Sequence, residues 1–215
     1  MLDKLRKLNP ELRIYSVKDK EFNAYGRVID FDTEEITKAC AKLKFPESAS
    51  EYRASVYELE NLKCSKKLRQ TIFGGCNAQI GICHGYNSVM NAMEFHYCSE
   101  INIAATPLVL IVGLRQDMKD KEFDSENVKA FYLEKGDAVE VYATTLHFCP
   151  CQVTDDGFSA VVGLPEGTNC NLDCETDDRL LFRKNKWIIC HEDNSNLIEK
   201  GVYPGIHGIN YSLKY

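Results

Sequence analysis

The sequence predicts a mainly β domain, a sandwich or barrel, behind a mixed helical extension. Three observations predict it. Beyond Gly75 the chain breaks into short β-prone segments at regular spacing, separated by turn signals. Helical spacing of apolar residues is confined to the first 75 residues. No repeat, low-complexity tract or linker interrupts the 215 residues, and 44% hydrophobic content suffices for one buried core. The simplest organisation is one domain over residues 1–215, with a mixed extension at 1–75 and a β core at 76–215.

Each element has its own signal. "DTEEITKACAKL" (Asp32–Leu43) opens with a cap-like Asp-Thr followed by acids, and Ile36, Ala39, Cys40 and Leu43 recur at helical spacing. A second helical pattern covers about Glu58–Ile72 and stops at Gly74-Gly75. The strands expected after it are "AQIGIC", "AMEFHYC", "PLVLIVG", "AFYLEKG", "AVEVYATTLHF", "FSAVVGL", "DRLLFRK" and "KWIICHE". Lys184-Asn185 between the last two reads as a tight hairpin.

Composition narrows the partners. The net charge is −6 and the basic residues form no run, which argues against nucleic acid and anionic membranes. The longest apolar run, Leu108–Val112, is too short to span a bilayer. The opening "MLDKLRKLNPEL" lacks an apolar signal core, so the ten cysteines are expected as free thiols in a cytoplasmic protein. Cys149, Cys151, Cys170 and Cys174 lack the two-residue spacing of zinc-binding pairs.

Two stretches carry chemistry. In "EFHYCSE" (Glu94–Glu100), read as one strand, Glu94, His96, Cys98 and Glu100 share a face. An alternating polar strand also describes any sheet with one wet side. In "KGDAVEVYATTLHFCPC" (Lys135–Cys151), Ala138, Glu140, Tyr142 and Thr144 share a face opposite Val139, Val141 and Ala143, and His147 follows.

Together these stretches resemble the two motifs of the cupin superfamily. The first motif, His-x-His, three or four residues, Glu, six residues, Gly, is matched in spacing by Glu94-Phe95-His96, Glu100 and Pro107. The second, Gly, five residues, Pro-x-Gly, two residues, His, three residues, Asn, is matched by Gly136, Tyr142-Ala143-Thr144, His147 and Cys151. Identity holds at His96, Glu100, Gly136 and His147, and Ser88 stands where the first motif begins with Gly. The stretches also resemble an uncharacterised cupin family of bacterial proteins of this size. "FNAYGRVIDFD" (Phe22–Asp32) is similar to the opening of ureidoglycolate lyase-type cupins.

The resemblance implies a double-stranded β-helix, or jelly-roll barrel, with Glu94, His96, Glu100 and His147 as ligands to one divalent ion (Mn, Fe, Zn or Ni). A carboxylate in place of the first histidine suits such an ion. The expected activity is a metal-dependent isomerase or epimerase on a small, carbohydrate-like substrate, with Glu140 or Glu94 moving the proton. A ureidoglycolate lyase-like lyase and a non-catalytic sugar-binding module are the alternatives, and a homodimer is implied by resemblance alone. Tyr142, Thr144, His84, His191 and Lys184 are candidate substrate contacts; Lys186 and Arg183 share the Lys184 hairpin, which also reads as a solvated tip.

Overall fold

Alternation along one strand sets the layers of the molecule. In Glu100–Ala104, Ile101 and Ile103 pack outward against Ile36, Cys40, Leu59 and Leu68 of the N-terminal helices. Glu100, Asn102 and Ala104 face the opposite way, and Ala104 joins Val139, Val141, Ala160, Val162 and Phe131 in the barrel interior. The computed structural model describes residues 1–215.

Three sheets build the barrel and its flank. The first orders Ile14–Ser16, Lys129–Leu133, Leu108–Leu114 and Thr145–Leu146, with Cys151–Gln152 also paired to Leu108–Leu114. The second orders Gly26–Val28, Ala138–Val141, Glu100–Ala104, Phe158–Pro165, Ala78–Gly85 and Ser50–Arg53. Their inner faces enclose the cluster containing Leu110, Phe131, Val139 and Val162. The third orders Leu181–Arg183, Lys186–His191, Tyr203–His207 and Phe123–Asp124, with Ala92–Phe95 paired to Lys186–His191. The chain is thus mainly β and cupin-like. No helix is long and apolar enough to cross a membrane.

The first 75 residues do more than cover the barrel. Helices form at Glu34–Cys40 and Lys63–Thr71, within the two patterned stretches, with a short helix at Tyr57–Glu60. Between and before them, Ile14–Ser16, Gly26–Val28 and Ser50–Arg53 lie at sheet edges. These strands are three or four residues long, too short to show a period.

One expected strand is two. Pairing of "AMEFHYC" ends at Phe95 and resumes in another sheet at Glu100. The chain turns at Tyr97, whose N–H donates to Asn185 Oδ1 at 2.8 Å and whose side chain is 86% exposed. Glu94 and Glu100 therefore do not share one strand face, as alternation through the whole stretch implied; they come from different sheets.

The Ser50–Arg53 edge can lie close because residue 81 is glycine. A Cβ there would sit 2.1 Å from the Arg53 carbonyl oxygen and 2.6 Å from that of Ala54. Gly81→Ala is expected to cost about 1–3 kcal/mol. Thermal unfolding should show the lower Tm, and amide exchange should rise in Ser50–Arg53 while Glu100–Ala104 stays protected.

Candidate metal centre

Three strands deliver the four polar side chains. Glu94 lies in Ala92–Phe95 and His96 just beyond it; Glu100 opens its strand; His147 follows Thr145–Leu146. A backbone bridge joins two of them across sheets. Glu94 N–H donates to the His147 carbonyl at 2.6 Å, and His147 N–H returns a bond to the Glu94 carbonyl at 3.0 Å. One donor atom from each of Glu94, His96, Glu100 and His147 lies within 4.8 Å of all the others. This is the only such group of three or more His, Cys, Asp or Glu residues, so Cys149, Cys151, Cys170 and Cys174 form none.

Hydrogen bonds behind the cluster fix which atoms face it. His96 Nδ1 lies 2.6 Å from the Asn185 carbonyl oxygen, and His147 Nδ1 lies 3.1 Å from that of Thr145. A carbonyl only accepts, so both Nδ1 atoms carry hydrogen and both Nε2 atoms point at the cluster. Those two Nε2 atoms are buried and have no hydrogen-bond partner. They lie 3.3 Å (His96) and 3.4 Å (His147) from Glu100 Oε2. Glu100 Oε1 is turned away, accepting from Asn102 Nδ2 at 2.9 Å. Glu94 Oε1 is 3.9 Å from His96 Nε2, while its Oε2 meets Lys186 Nζ.

A divalent ion fits this set. Two neutral imidazoles and two carboxylates balance a 2+ charge, and neither buried ring nitrogen makes a hydrogen bond within the chain. Backbone carbonyls orienting the rings through Nδ1–H are the usual support for ligating histidines.

Two members of the cluster, Glu94 and Glu100, line an open cavity of about 250 Å³. Its walls include Ser50, Tyr52, Asn102, Asn169, Cys149 and Lys186. Sequence reasoning did not point to Tyr52, Asn102 or Asn169. Tyr52 comes from an edge strand supplied by the N-terminal extension, which carries no motif.

The other expected contacts lie elsewhere. Glu140 is on the outer face of Ala138–Val141, where Oε2 accepts from Arg27 Nε at 2.7 Å. Val139 and Val141 occupy the inner face, so the apolar residues took the core and Glu140 took the rim. Tyr142 is half-buried and Thr144 exposed, and neither lines the cavity. His84 is buried on the outer side of its strand, 2.7 Å from Glu51 Oε1 and edge-on to Phe45. His191 is buried against the C-terminal tail, with Nε2 3.1 Å from the Gly208 carbonyl oxygen. Lys184 is exposed and reaches Asp173 at 3.5 Å. The hairpin serves the centre through its neighbours, Asn185 and Lys186. Asn185 takes φ 56°, a left-handed turn conformation that asparagine tolerates.

Comparison with known proteins gives the chain a family and no activity. Residues 14–211 match the family model described as "Domain of unknown function (DUF4867)". The chain belongs to this DUF4867 family. No curated protein matches it. Among solved structures, it is similar to several of Bacillus subtilis oxalate decarboxylase, including one at pH 4.6 and one from work on that enzyme's Mn(II) centres. Both align at 10% identity and TM-score 0.34, over 59% of this chain and 28% of the decarboxylase. The DUF4867 chain thus spans less than a third of that enzyme, and a likeness this low carries no argument about chemistry.

Without an ion, His147 and Glu100 form a buried ionic pair. Burial pushes the His147 imidazolium down, but the Glu100 charge outweighs it and raises the ring to about 9. Burial likewise opposes ionisation of Glu100, yet the two imidazoles hold it well below the ordinary carboxylate range. His147 is therefore protonated at neutral pH, and an ion arriving at its Nε2 displaces that proton. Metal affinity is expected to rise about tenfold per pH unit up to about 9 and then level off. Calorimetric titration in buffers of different ionisation enthalpy checks this through the release of one proton per ion at pH 7.

Proposed function

We propose that the chain is a metal-dependent cupin enzyme acting on a small, polar, carbohydrate-like substrate. Its reaction is the movement of a proton between neighbouring carbons, as in isomerisation or epimerisation. One observation carries the reading: two buried imidazole nitrogens without a hydrogen bond converge with two carboxylates, and those carboxylates line an open cavity with hydroxyl and amide walls.

The roles follow from distance. Glu100 Oε2 is close to both ring nitrogens, at 3.3 and 3.4 Å, and with His96 and His147 it would hold the ion. Glu94 stands further out, at 3.9 Å from His96. It is the carboxylate best placed to meet substrate, and it takes the proton-moving role that Glu140, on the outer face, cannot fill. A bound divalent ion supplies Lewis-acid polarisation of a carbonyl and its neighbouring hydroxyl. Lys186 is in direct contact with the second oxygen of Glu94 and orients its carboxylate. Tyr52, Asn102 and Asn169 offer hydrogen bonds to hydroxyls. The cavity holds roughly eight waters' worth of volume, the scale of a monosaccharide. Ten free cysteines suit a reducing compartment.

The test is proton exchange in D₂O. Metal-loaded protein is incubated with five- and six-carbon aldoses and ketoses and followed by NMR. At least one sugar should gain deuterium beside its carbonyl as an isomer forms. Glu94→Gln should slow this by about 10²–10⁴-fold without loss of the ion. No exchange in any sugar by fully loaded protein, or full exchange by Glu94→Gln, contradicts the reading.

A further inference from the structure

Two thiols line the same cavity. Cys83 projects from Ala78–Gly85 and Cys149 from the loop that follows His147, and their sulfurs are 3.9 Å apart. Both line the cavity wall; Cys83 is buried and Cys149 half-buried, with its sulfur 3.3 Å from Ser50 Oγ. All ten cysteines of the chain are free, and no other thiol pair lines this cavity. Neither thiol belongs to the four-residue cluster.

We propose that Cys83 and Cys149 are a thiol–disulfide modification site that governs metal uptake by the neighbouring centre. The oxidant is a small organic disulfide that enters the cavity. Cys149 sulfur attacks one sulfur of that disulfide; the S–S bond breaks, one thiol leaves with the proton from Cys149, and a mixed disulfide remains. Cys83 sulfur then attacks the Cys149 sulfur and releases the second thiol with its own proton. Two protein thiols are oxidised to one disulfide, and one small disulfide is reduced to two thiols.

Position explains the order of events. Of the two thiols lining the cavity, Cys149 is the more exposed and is the one that meets the oxidant, whereas buried Cys83 needs only its neighbour. Bond formation brings the sulfurs from 3.9 Å to about 2 Å. One partner lies in a sheet strand paired on both sides, so the adjustment falls on the loop. That loop begins two residues earlier at His147, whose ring nitrogen faces the ion site. Closing the bond pulls on the segment next to His147, against its two backbone hydrogen bonds to Glu94, and crosses the cavity wall. By reciprocity, an ion held at His147 resists closure.

The experiment treats metal-free full-length protein with glutathione disulfide, then maps peptides without reduction and titrates manganese by calorimetry. The expected result is a Cys83–Cys149 cross-link, a manganese affinity lower by about tenfold or more, and recovery with dithiothreitol. Cys83→Ser should stop at a glutathione adduct on Cys149, and pre-loaded manganese should slow the cross-link. A persistent adduct on Cys149 in the unsubstituted protein, or cross-links only among exposed Cys76, Cys170 and Cys174, overturns the site. A Cys83–Cys149 cross-link with unchanged manganese affinity overturns its control of uptake. The cross-link stands independently of the metal centre, so loss of one claim does not disguise loss of the other.

Discussion

Two backbone hydrogen bonds between Glu94 and His147 hold the candidate centre together. They join the strand Ala92–Phe95, which belongs to the flanking sheet, to the end of Thr145–Leu146 in the barrel. Without that bridge, the carboxylate and the imidazole would sit on separate sheets with nothing fixing their distance. With it, His96 is carried to the same point and its ring is locked from behind by the Asn185 carbonyl. The centre is thus a junction between sheets, and its geometry is as firm as the sheets themselves.

The electrostatics depend on that junction. A fully buried carboxylate such as Glu100 is costly unless charge or hydrogen bonds compensate it. Asn102 satisfies one oxygen, and the two imidazoles face the other. In the metal-free chain a proton on His147 provides the positive charge; a divalent ion would provide it more fully and satisfy both ring nitrogens. The same four side chains would make an expensive core if nothing ever bound there. Lys186 extends the logic outward, pairing with the second oxygen of Glu94 and leaving its first toward the cluster.

Much of this was legible in the sequence, and the gaps have physical causes. Short β-prone segments between turn signals marked the barrel strands, because strand preference and turn chemistry are local properties. The cluster of Glu94, His96, Glu100 and His147 was marked by the resemblance of its two stretches to the cupin motifs. Parity failed at Tyr97, where the chain leaves one sheet for another, since a side-chain hydrogen bond from distant Asn185 makes the turn. Glu140 was readable but weighted wrongly: Val139 and Val141 flank it, and apolar neighbours claim the interior first. Tyr52, Asn102 and Asn169 were silent because their roles arise from tertiary register, as when Tyr52 falls opposite Cys83. At the hairpin, Lys184 and Lys186 look equivalent in composition, but only Lys186 lies in the strand that faces Glu94.

The most direct test of the central claim is metal content. The full chain is purified without added metal or chelator and analysed for elements, beside His96→Ala and His147→Ala. The account predicts close to one transition-metal ion per chain in the unsubstituted protein and loss of that ion in both variants, with folding confirmed by circular dichroism. A folded protein that stays empty after incubation with manganese, iron, zinc and nickel would contradict it. So would an ion retained when both histidines are replaced.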